Sequence, residues 1–253
     1  MCSSDLDWAS EVAVAPSAEL IAALPGDGAR TAAWQLYLLG EPAVEALQSA
    51  LGADSPQARW YAAATLAMLG HADGASELRR ALAEHDEARP MNTNDTHHAE
   101  RSAPRWKSAI GLLGQIGDAE AVPLLADLLA DPRDDGDALI SAVRALGAIG
   151  TSAALAALEA FADQLDAGAS VPEAYLQLSM GGGRRLPRDI AWFVRSALVE
   201  ALAELGCDRR HLIDAYLDDE RAWVRVRAQH LASAEPATRL TGSGEATRVK
   251  ARR

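Results

Sequence analysis

The chain has 253 residues, of which 49% are hydrophobic and 5% aromatic, and its formal net charge is −12 at pH 7. A surface this acidic repels phosphate polymers, which argues against nucleic-acid binding unless the basic residues are segregated onto one face. No apolar run reaches the roughly 18 residues of a membrane span and no signal-peptide pattern opens the chain, so we expect a soluble, cytoplasmic protein.

The first residues and the composition indicate the source of the sequence. Arginine greatly outnumbers lysine, which occurs only at Lys107 and Lys250, and this bias favours a bacterial origin. Residues 1–6 resemble the translated end of a sequencing adapter, so we predict a non-native scar on a metagenomic fragment; a native N-terminal segment is the alternative. With Cys2 in the scar, Cys207 is the only native cysteine, which excludes a disulfide framework or a cysteine metal site.

After a first helix predicted at residues 17–24, five glycines that follow Leu or Ile mark a repeated register. They are Gly40, Gly70, Gly117, Gly150 and Gly206. Eight, seven, four and one residues before each glycine the side chain is apolar, as at Ala62, Ala63, Leu66 and Leu69, and this spacing is one face of a helix. We call this helix A of each repeat and predict the glycine as its left-handed C-cap.

A second apolar series follows the glycine in the middle repeats and predicts helix B. Its members are Ala75, Leu78 and Leu82, then Val122, Leu125 and Leu129, then Leu155, Leu158 and Ala162. A hairpin of about 30 residues cannot cover both of its apolar faces, so it must stack on the next one. The sequence therefore predicts an all-α fold, an αα-superhelix of about five to six hairpins over residues 7–238.

Small residues stand three positions before four of the anchors, at Ala67, Gly114, Gly147 and Ala203. They predict close approach of a neighbouring helix. Gly111, Gly114 and Gly117 lie three apart and imitate a dinucleotide-binding motif, but they fall on a helix and at its end, so we interpret them as packing positions.

Two polar segments interrupt the repeats, at about residues 84–103 and 165–189, and both are predicted to project as loops. The last predicted helix covers Ala222–Ala232. Residues 239–253 are predicted to be a disordered basic tail.

The pattern over about residues 30–235 resembles the short HEAT-like repeats named after phycobilisome lyases. The likeness is clearest at Arg105–Leu129, with its stretch Ile116–Leu125. Arginines eleven or twelve residues before the glycine, at Arg59, Arg105 and Arg195, are also similar to that family, which implies a role in packing between repeats. The family includes chromophore lyases, DNA-repair glycosylases, metal-dependent hydroxylases, scaffolds and modules of larger enzymes, so the resemblance implies the fold and leaves the function open.

Three segments contain residues that could bind a metal ion or a phosphate, and for each of them we favour a purely structural role. His85-Asp86-Glu87 and His97-His98-Ala99-Glu100 could hold a metal, but they do not occupy equivalent helical positions, so a solvated loop is preferred. The acidic run Asp131–Asp137 lacks two ligands of a calcium loop and is interpreted as a connection with an aspartate N-cap. The segment Gly181–Arg185 lacks the setting of a phosphate-binding loop. We predict no metal site and no cofactor.

Tryptophans recur near the start of successive A helices, and with two arginines of the second insertion they are the candidate partner-binding residues. The set is Trp60, Trp106, Trp192, Trp223, Arg184 and Arg185. Aromatic and arginine side chains are favoured at binding hot spots. The alternative, which we prefer for the tryptophans, is that they fill the seam between repeats.

The leading functional hypothesis is a protein-binding scaffold without catalytic activity of its own. In it, the B helices line a concave surface for a protein or peptide partner. The alternative is an accessory or C-terminal module of a larger enzyme whose catalytic domain lies upstream. A third is a phycobilin lyase or a DNA glycosylase; the acidic surface weighs against the glycosylase, and no residue pattern marks a tetrapyrrole site.

Overall fold

The computed structural model describes residues 17–86, 104–130, 135–171, 174–177 and 185–234. Its helices are α1 (residues 17–23), α2 (Ala29–Leu39), α3 (Val44–Ala50), α4 (Pro56–Leu69), α5 (Ala75–Ala83), α6 (Arg105–Ile116), α7 (Val122–Ala130), α8 (Gly136–Ile149), α9 (Ser152–Asp166), α10 (Ile190–Glu204) and α11 (Ala222–Ser233). The A helices are α2, α4, α6, α8, α10 and α11, and the B helices are α1, α3, α5, α7 and α9. A 3-10 segment, Arg210–Tyr216, stands in the B position between α10 and α11. The predicted αα-superhelix is confirmed.

Three of the five anchor glycines, Gly70, Gly117 and Gly150, are left-handed C-caps as predicted, whereas Gly40 has a ψ of −139° and Gly206 follows the cap residue Leu205. All five have positive φ, between 66° and 90°, a region that side-chain-bearing residues adopt only with strain. After α4, the N–H of Gly70 donates to the Ala67 carbonyl at 3.0 Å and the N–H of His71 donates to the Leu66 carbonyl at 2.9 Å. This pair of bonds satisfies carbonyls at the helix end and turns the chain towards helix B.

The apolar register of the A helices is buried as predicted. In every repeat the residues eight, seven and four positions before the anchor are buried, and those one position before it are partly buried against the core. The B-helix series is also buried, except for the partly buried Leu155. In the described ranges, the helices lack the length and apolar character needed to cross a bilayer.

Successive A helices touch at glycines. A Cβ on Gly114 of α6 would lie 2.7 Å from the Cα of Ala145 on α8, and a Cβ on Gly147 of α8 would lie 2.8 Å from the Cβ of Ala201 on α10. The predicted close approach is therefore confirmed at these two positions. Gly111 differs, because nothing lies within 4 Å of the place of its Cβ, so packing does not explain it.

Most of the first insertion, residues 87–103, lies outside the described residues, as does the tail at residues 239–253. The second insertion contains a short antiparallel ribbon that the sequence analysis did not predict. Strand β1 (Ala174–Gln177) pairs with β2 (Arg185–Arg188), with Tyr175 opposite Pro187. Four residues a strand are too few for a clear alternating pattern, and proline suits such a ribbon because each strand has only one hydrogen-bonded neighbour.

Two glycines of α6 give a matched test of this packing. Gly114→Ala should lower the free energy of unfolding by about 1–3 kcal/mol, because the new methyl group meets the backbone of α8. Gly111→Ala in the same helix should raise it by about 0.5–1 kcal/mol, because the space is open and alanine favours helix. Urea denaturation of both variants measures the two changes, and a gain in stability for Gly114→Ala would refute the close contact between α6 and α8.

Candidate functional site

The two A helices at the ends of the described stack are much less covered than those between them. Helix α4 buries eight of its 14 residues, α8 eight of 14 and α10 nine of 15. Helix α2 buries only four of 11, and α11 only three of 12. Among the described residues, an inner A helix has another A helix on each side, whereas α2 and α11 each have one on a single side, and fewer of their residues are buried.

The uncovered side of α11 carries large apolar side chains. Trp223 is 55% exposed and Val226 is 64% exposed, and with Arg227 and His230 they follow the helical spacing of one face. We call these four residues the α11 face. They and Ala222 line an open groove of about 530 Å³. Adjacent exposed apolar residues within a polar surround are typical of a contact surface.

An arginine before α11 holds this helix against the stack. Arg221 Nη2 donates to Asp189 Oδ2 at 2.6 Å and to Asp219 Oδ2 at 2.7 Å, while its Nε donates to Asp219 Oδ1 at 2.8 Å. The other oxygen of Asp189 caps α10, accepting from the backbone N–H of Trp192 at 2.9 Å. Arg221 therefore joins the start of α10 to the start of α11.

Contacts with Phe193 and Arg221 hold the Trp223 ring in place on its inner side. Its ring stacks on Phe193 of α10 with centroids 5.9 Å apart, and the Arg221 guanidinium lies 5.9 Å from the ring centroid. Arg227 forms an ion pair with Glu200 of α10. The outer side of the indole therefore stays exposed while its inner side is fixed, which lowers the entropy cost of binding.

Contacts of the same kind shift the pKa values of ionisable groups in this region. Hydrogen bonds from Arg221 lower the pKa of Asp219 to about 2, and hydrogen bonds from Arg210 lower that of Asp208 to about 2. Burial raises the pKa of Tyr216, whose ring packs 5.0 Å from that of Trp192. Asp219 is thus negatively charged at any physiological pH and keeps Arg221 in place.

The structure separates the four candidate tryptophans. Trp60, Trp106 and Trp192 are each at most 5% exposed, a position that favours the packing interpretation. Trp223 is the member of the set that a partner could reach. Arg184 lies outside the described residues, and Arg185 begins β2.

Sequence reasoning missed a second exposed apolar pair, at the other end of the stack. Trp34 is 55% exposed and Leu38 is 66% exposed on α2, and we call these two residues the α2 face. They stand six and two positions before Gly40, outside the buried register, which was the signal that could have found them. On α11 no anchor glycine follows, so Trp223 and Val226 had no register to distinguish them from the buried residues.

These exposed pairs change the expected location of a contact surface. The B helices were predicted to line it. Among the described residues, the four large exposed hydrophobic side chains all lie on A helices, at Trp34, Leu38, Trp223 and Val226.

The arginines eleven or twelve residues before the anchor glycines connect neighbouring elements of the stack, as the resemblance to HEAT-like repeats implied. Arg59 Nη1 donates to the carbonyls of Ala53 and Asp54, at 2.9 and 3.0 Å, and so ties down the connection from α3 to α4. Arg195 Nη1 donates to the Leu212 carbonyl at 3.4 Å, which joins α10 to the 3-10 segment. Arg105 is buried and pairs with Asp86 at 3.3 Å.

The segments considered as metal or calcium sites have structural roles wherever the structure describes them. Within the described ranges, no group of three or more His, Cys, Asp or Glu residues could hold a metal ion; His97 and His98 lie outside those ranges. His85 is not the solvated loop residue expected, because its ring packs 5.1 Å from that of Trp106 and its Nε2 is buried. Asp135 is the predicted N-cap, accepting from the Ala138 N–H at 3.0 Å.

Cys207, the cysteine that the structure describes, also makes a structural contact. Cys207 follows the last anchor glycine, and its Sγ donates to Glu159 Oε1 on α9 at 3.2 Å. Burial, followed by the neighbouring Glu159 carboxylate, raises the pKa of the thiol. A raised pKa leaves less reactive thiolate at neutral pH, so this residue is not a good nucleophile.

The match to a family model agrees with the architecture. Residues 101–169, which include α6 to α9, match the HEAT repeats family. No curated protein matches the chain. Among solved structures, the chain is similar to the complex of CpcE and CpcF of phycocyanin lyase from a Nostoc species, with 25% sequence identity, a TM-score of 0.45 and coverage of 75% of this chain. The match spans 63% of the length of that chain.

Acid should loosen the attachment of α11 through Asp219. Its pKa is lowered to about 2 in the folded chain, so the stability that it contributes is present above about pH 4 and is lost as the pH falls towards 2. Asp219→Asn should therefore melt at a lower temperature than the wild type at pH 7, and the two should converge as the pH falls from about 4 to about 2. The control variant is Asp214→Asn, which also removes one negative charge but from the exposed side of the 3-10 segment. Thermal melts in which Asp219→Asn equals the wild type at pH 7 would contradict the role of this carboxylate.

Proposed function

We propose that this HEAT-like repeat protein is a protein-binding scaffold and that the α11 face is its contact surface. One observation carries the proposal: Trp223 and Val226 are large apolar side chains that are more than half exposed, side by side, on a helix that buries only three of its 12 residues. Burying an exposed tryptophan and its aliphatic neighbour supplies the core of a protein contact. The flanking Arg227 and His230 supply its polar rim.

The shape of the groove favours a polypeptide partner over a small molecule. Small-molecule sites are usually concave and enclose most of the ligand. The groove on α11 is open, and its described lining comes from the exposed side of a single helix, at Ala222, Trp223, Val226, Arg227 and His230. A surface of this kind can be covered by a helix or an extended peptide that brings its own apolar side chains.

Charge favours a protein over a nucleic acid. The A helices carry eight basic and three acidic residues. The B helices, together with the 3-10 segments Glu41–Ala43, Ala119–Ala121 and Arg210–Tyr216, carry three basic and ten acidic ones. The basic residues are therefore segregated, as nucleic-acid binding would need. Most of them are engaged internally, however: Arg59 and Arg195 bind backbone carbonyls, and Lys107 pairs with Asp135. The acidic B layer would repel a phosphate backbone.

A library of random peptides displayed on phage tests the proposal without knowledge of the natural partner. Selection on the wild-type chain should enrich peptides with apolar anchors. Their affinity should fall about tenfold or more for Val226→Glu and for Trp223→Ala, because both changes remove the apolar centre of the contact. Ala160→Glu makes a matched charge change on the exposed side of α9 and should leave binding unchanged.

Circular dichroism of each variant checks that the helices are intact. Failure to enrich any peptide, or equal binding of the enriched peptides by the wild type and Val226→Glu, would refute the α11 face as a protein-binding surface.

A further inference from the structure

We propose that the exposed side of α2, α4 and α6 is a second contact surface and that it binds an acidic amphipathic helix of another protein. The surface consists of Trp34 and Leu38 on α2, Ala64 and Met68 on α4, and Gly111 on α6, and we call these five residues the outer strip. This inference goes beyond the proposed function, because no residue of the outer strip belongs to the α11 face.

The residues of the outer strip occupy two equivalent positions of the repeat. They stand six positions before an anchor glycine, at Trp34, Ala64 and Gly111, or two positions before it, at Leu38 and Met68. The buried register uses the positions eight, seven and four before the anchor, so the strip lies on the opposite side of each helix. Accordingly, Trp34, Leu38 and Gly111 are exposed, and Ala64 and Met68 are partly exposed.

Hydrogen bonds between the repeats show that neighbouring A helices keep one register. Gln115 Nε2 of α6 donates to the Met68 carbonyl of α4 at 3.2 Å, and both residues stand two positions before their anchors. Near the starts of α2 and α4, Gln57 Nε2 donates to the Gly26 carbonyl at 2.8 Å, thirteen and fourteen positions before the anchors. The three exposed sides therefore lie next to one another and form one surface.

The middle of the outer strip is low because its side chains are small. Ala64 has only a methyl group, and nothing lies within 4 Å of the place of a Cβ on Gly111. A glycine inside a helix is less favourable than alanine, and packing among the described residues does not explain this one. Close approach of a partner's backbone does explain it, with the partner's apolar side chains against Trp34, Leu38 and Met68.

Charge specifies an acidic partner. Helices α2, α4 and α6 contain no Asp or Glu. Arg30 is exposed one turn before Trp34, and Arg144 is exposed on α8 at the position equivalent to that of Gly111. Among the described residues, neither arginine has an ion-pair partner. Carboxylates near the two ends of a bound segment would complement both arginines.

The spacing of the A helices sets the length of the partner. Helices α2, α4, α6 and α8 are packed in this order. Packed helices lie about 8–10 Å apart, so the three spacings cover roughly 24–30 Å. A helix rises about 1.5 Å per residue, so about 16–20 residues reach from Arg30 to Arg144. A helix of this length, apolar along one side and acidic at both ends, fits the outer strip.

An anionic membrane fits the molecule less well. The outer strip and its two arginines would also suit a lipid surface, but the B helices of the same stack are strongly acidic and are repelled by anionic headgroups. A protein segment contacts the strip alone, so its carboxylates stay away from the acidic B helices.

Random peptides of about 20 residues displayed on phage test the inference. Selection uses the full chain with Val226→Glu, so that the α11 face lacks its apolar centre. It should enrich peptides with apolar residues three or four apart and carboxylates near both ends. Adding Leu38→Glu should weaken their binding about tenfold or more, because it places a negative charge in the apolar contact. Ala160→Glu, on the exposed side of α9, should leave it unchanged.

The flanking arginines have a separate readout. Arg30→Glu with Arg144→Glu should lower the affinity of the same peptides about tenfold and remove most of its dependence on salt, because the screened attraction is lost. Equal salt dependence before and after the two changes would overturn the acidic partner.

Gly111→Leu separates binding from stability. The new side chain enters open space and favours helix more than glycine does, so the chain should melt at the same temperature as its parent or higher. It also fills the low middle of the strip, so the affinity should fall about tenfold or more. Ala156→Leu makes a similar addition on the exposed side of α9 and should bind as the parent does. Unchanged binding by Gly111→Leu would overturn the close approach to α6.

Other occupants give results that overturn the inference. No enrichment of peptides, or equal binding by Leu38→Glu and its parent, removes the outer strip as a contact surface. Sedimentation of the chain with phosphatidylglycerol vesicles, lost in Leu38→Glu, shows a membrane in place of a protein. A photoreactive side chain at position 38 that captures residues 1–16 of its own chain in place of the peptide shows that the N-terminal segment covers the strip. Each result leaves the α11 face untested, because the parent chain carries Val226→Glu.

Discussion

The close contact between successive A helices is the constraint on which the rest of the structure depends. Gly114 against Ala145 and Gly147 against Ala201 bring helix backbones together with almost nothing between them. Such contacts allow no side chain larger than hydrogen at the glycine, so they fix the spacing and the register of α6, α8 and α10. Each hairpin is stable because the next one completes its core.

The surface features follow from this arrangement. Connections between repeats pass over the edge of the stack, where arginines such as Arg59 and Arg221 hold them by carbonyls and carboxylates. Among the described residues, the four large exposed hydrophobic side chains lie on α2 and α11, the first and last A helices described, and the pair on α11 forms the proposed contact surface.

The fold could be predicted from the sequence because its signals are local. The spacing of Ala142, Val143 and Leu146 defines a helical face, and a glycine with positive φ at 150 ends the helix, whatever the distant parts of the chain do. The candidate site could not be predicted in the same way. Trp192 and Trp223 both stand near a helix start in the sequence, but Trp192 is buried, with its ring 5.0 Å from that of Tyr216 in the 3-10 segment, whereas Trp223 is 55% exposed. The ribbon of β1 and β2 escaped prediction because each strand depends on a partner about ten residues away.

Hydrogen exchange along the chain, followed by mass spectrometry of peptides, tests the central claim most directly. If stacking of A helices holds the fold together, the backbone amides of α6 and α8 should exchange most slowly, and those of α11 and α2 markedly faster, since the terminal helices are covered on one side only. Protection in α11 equal to that in α8 would contradict the account.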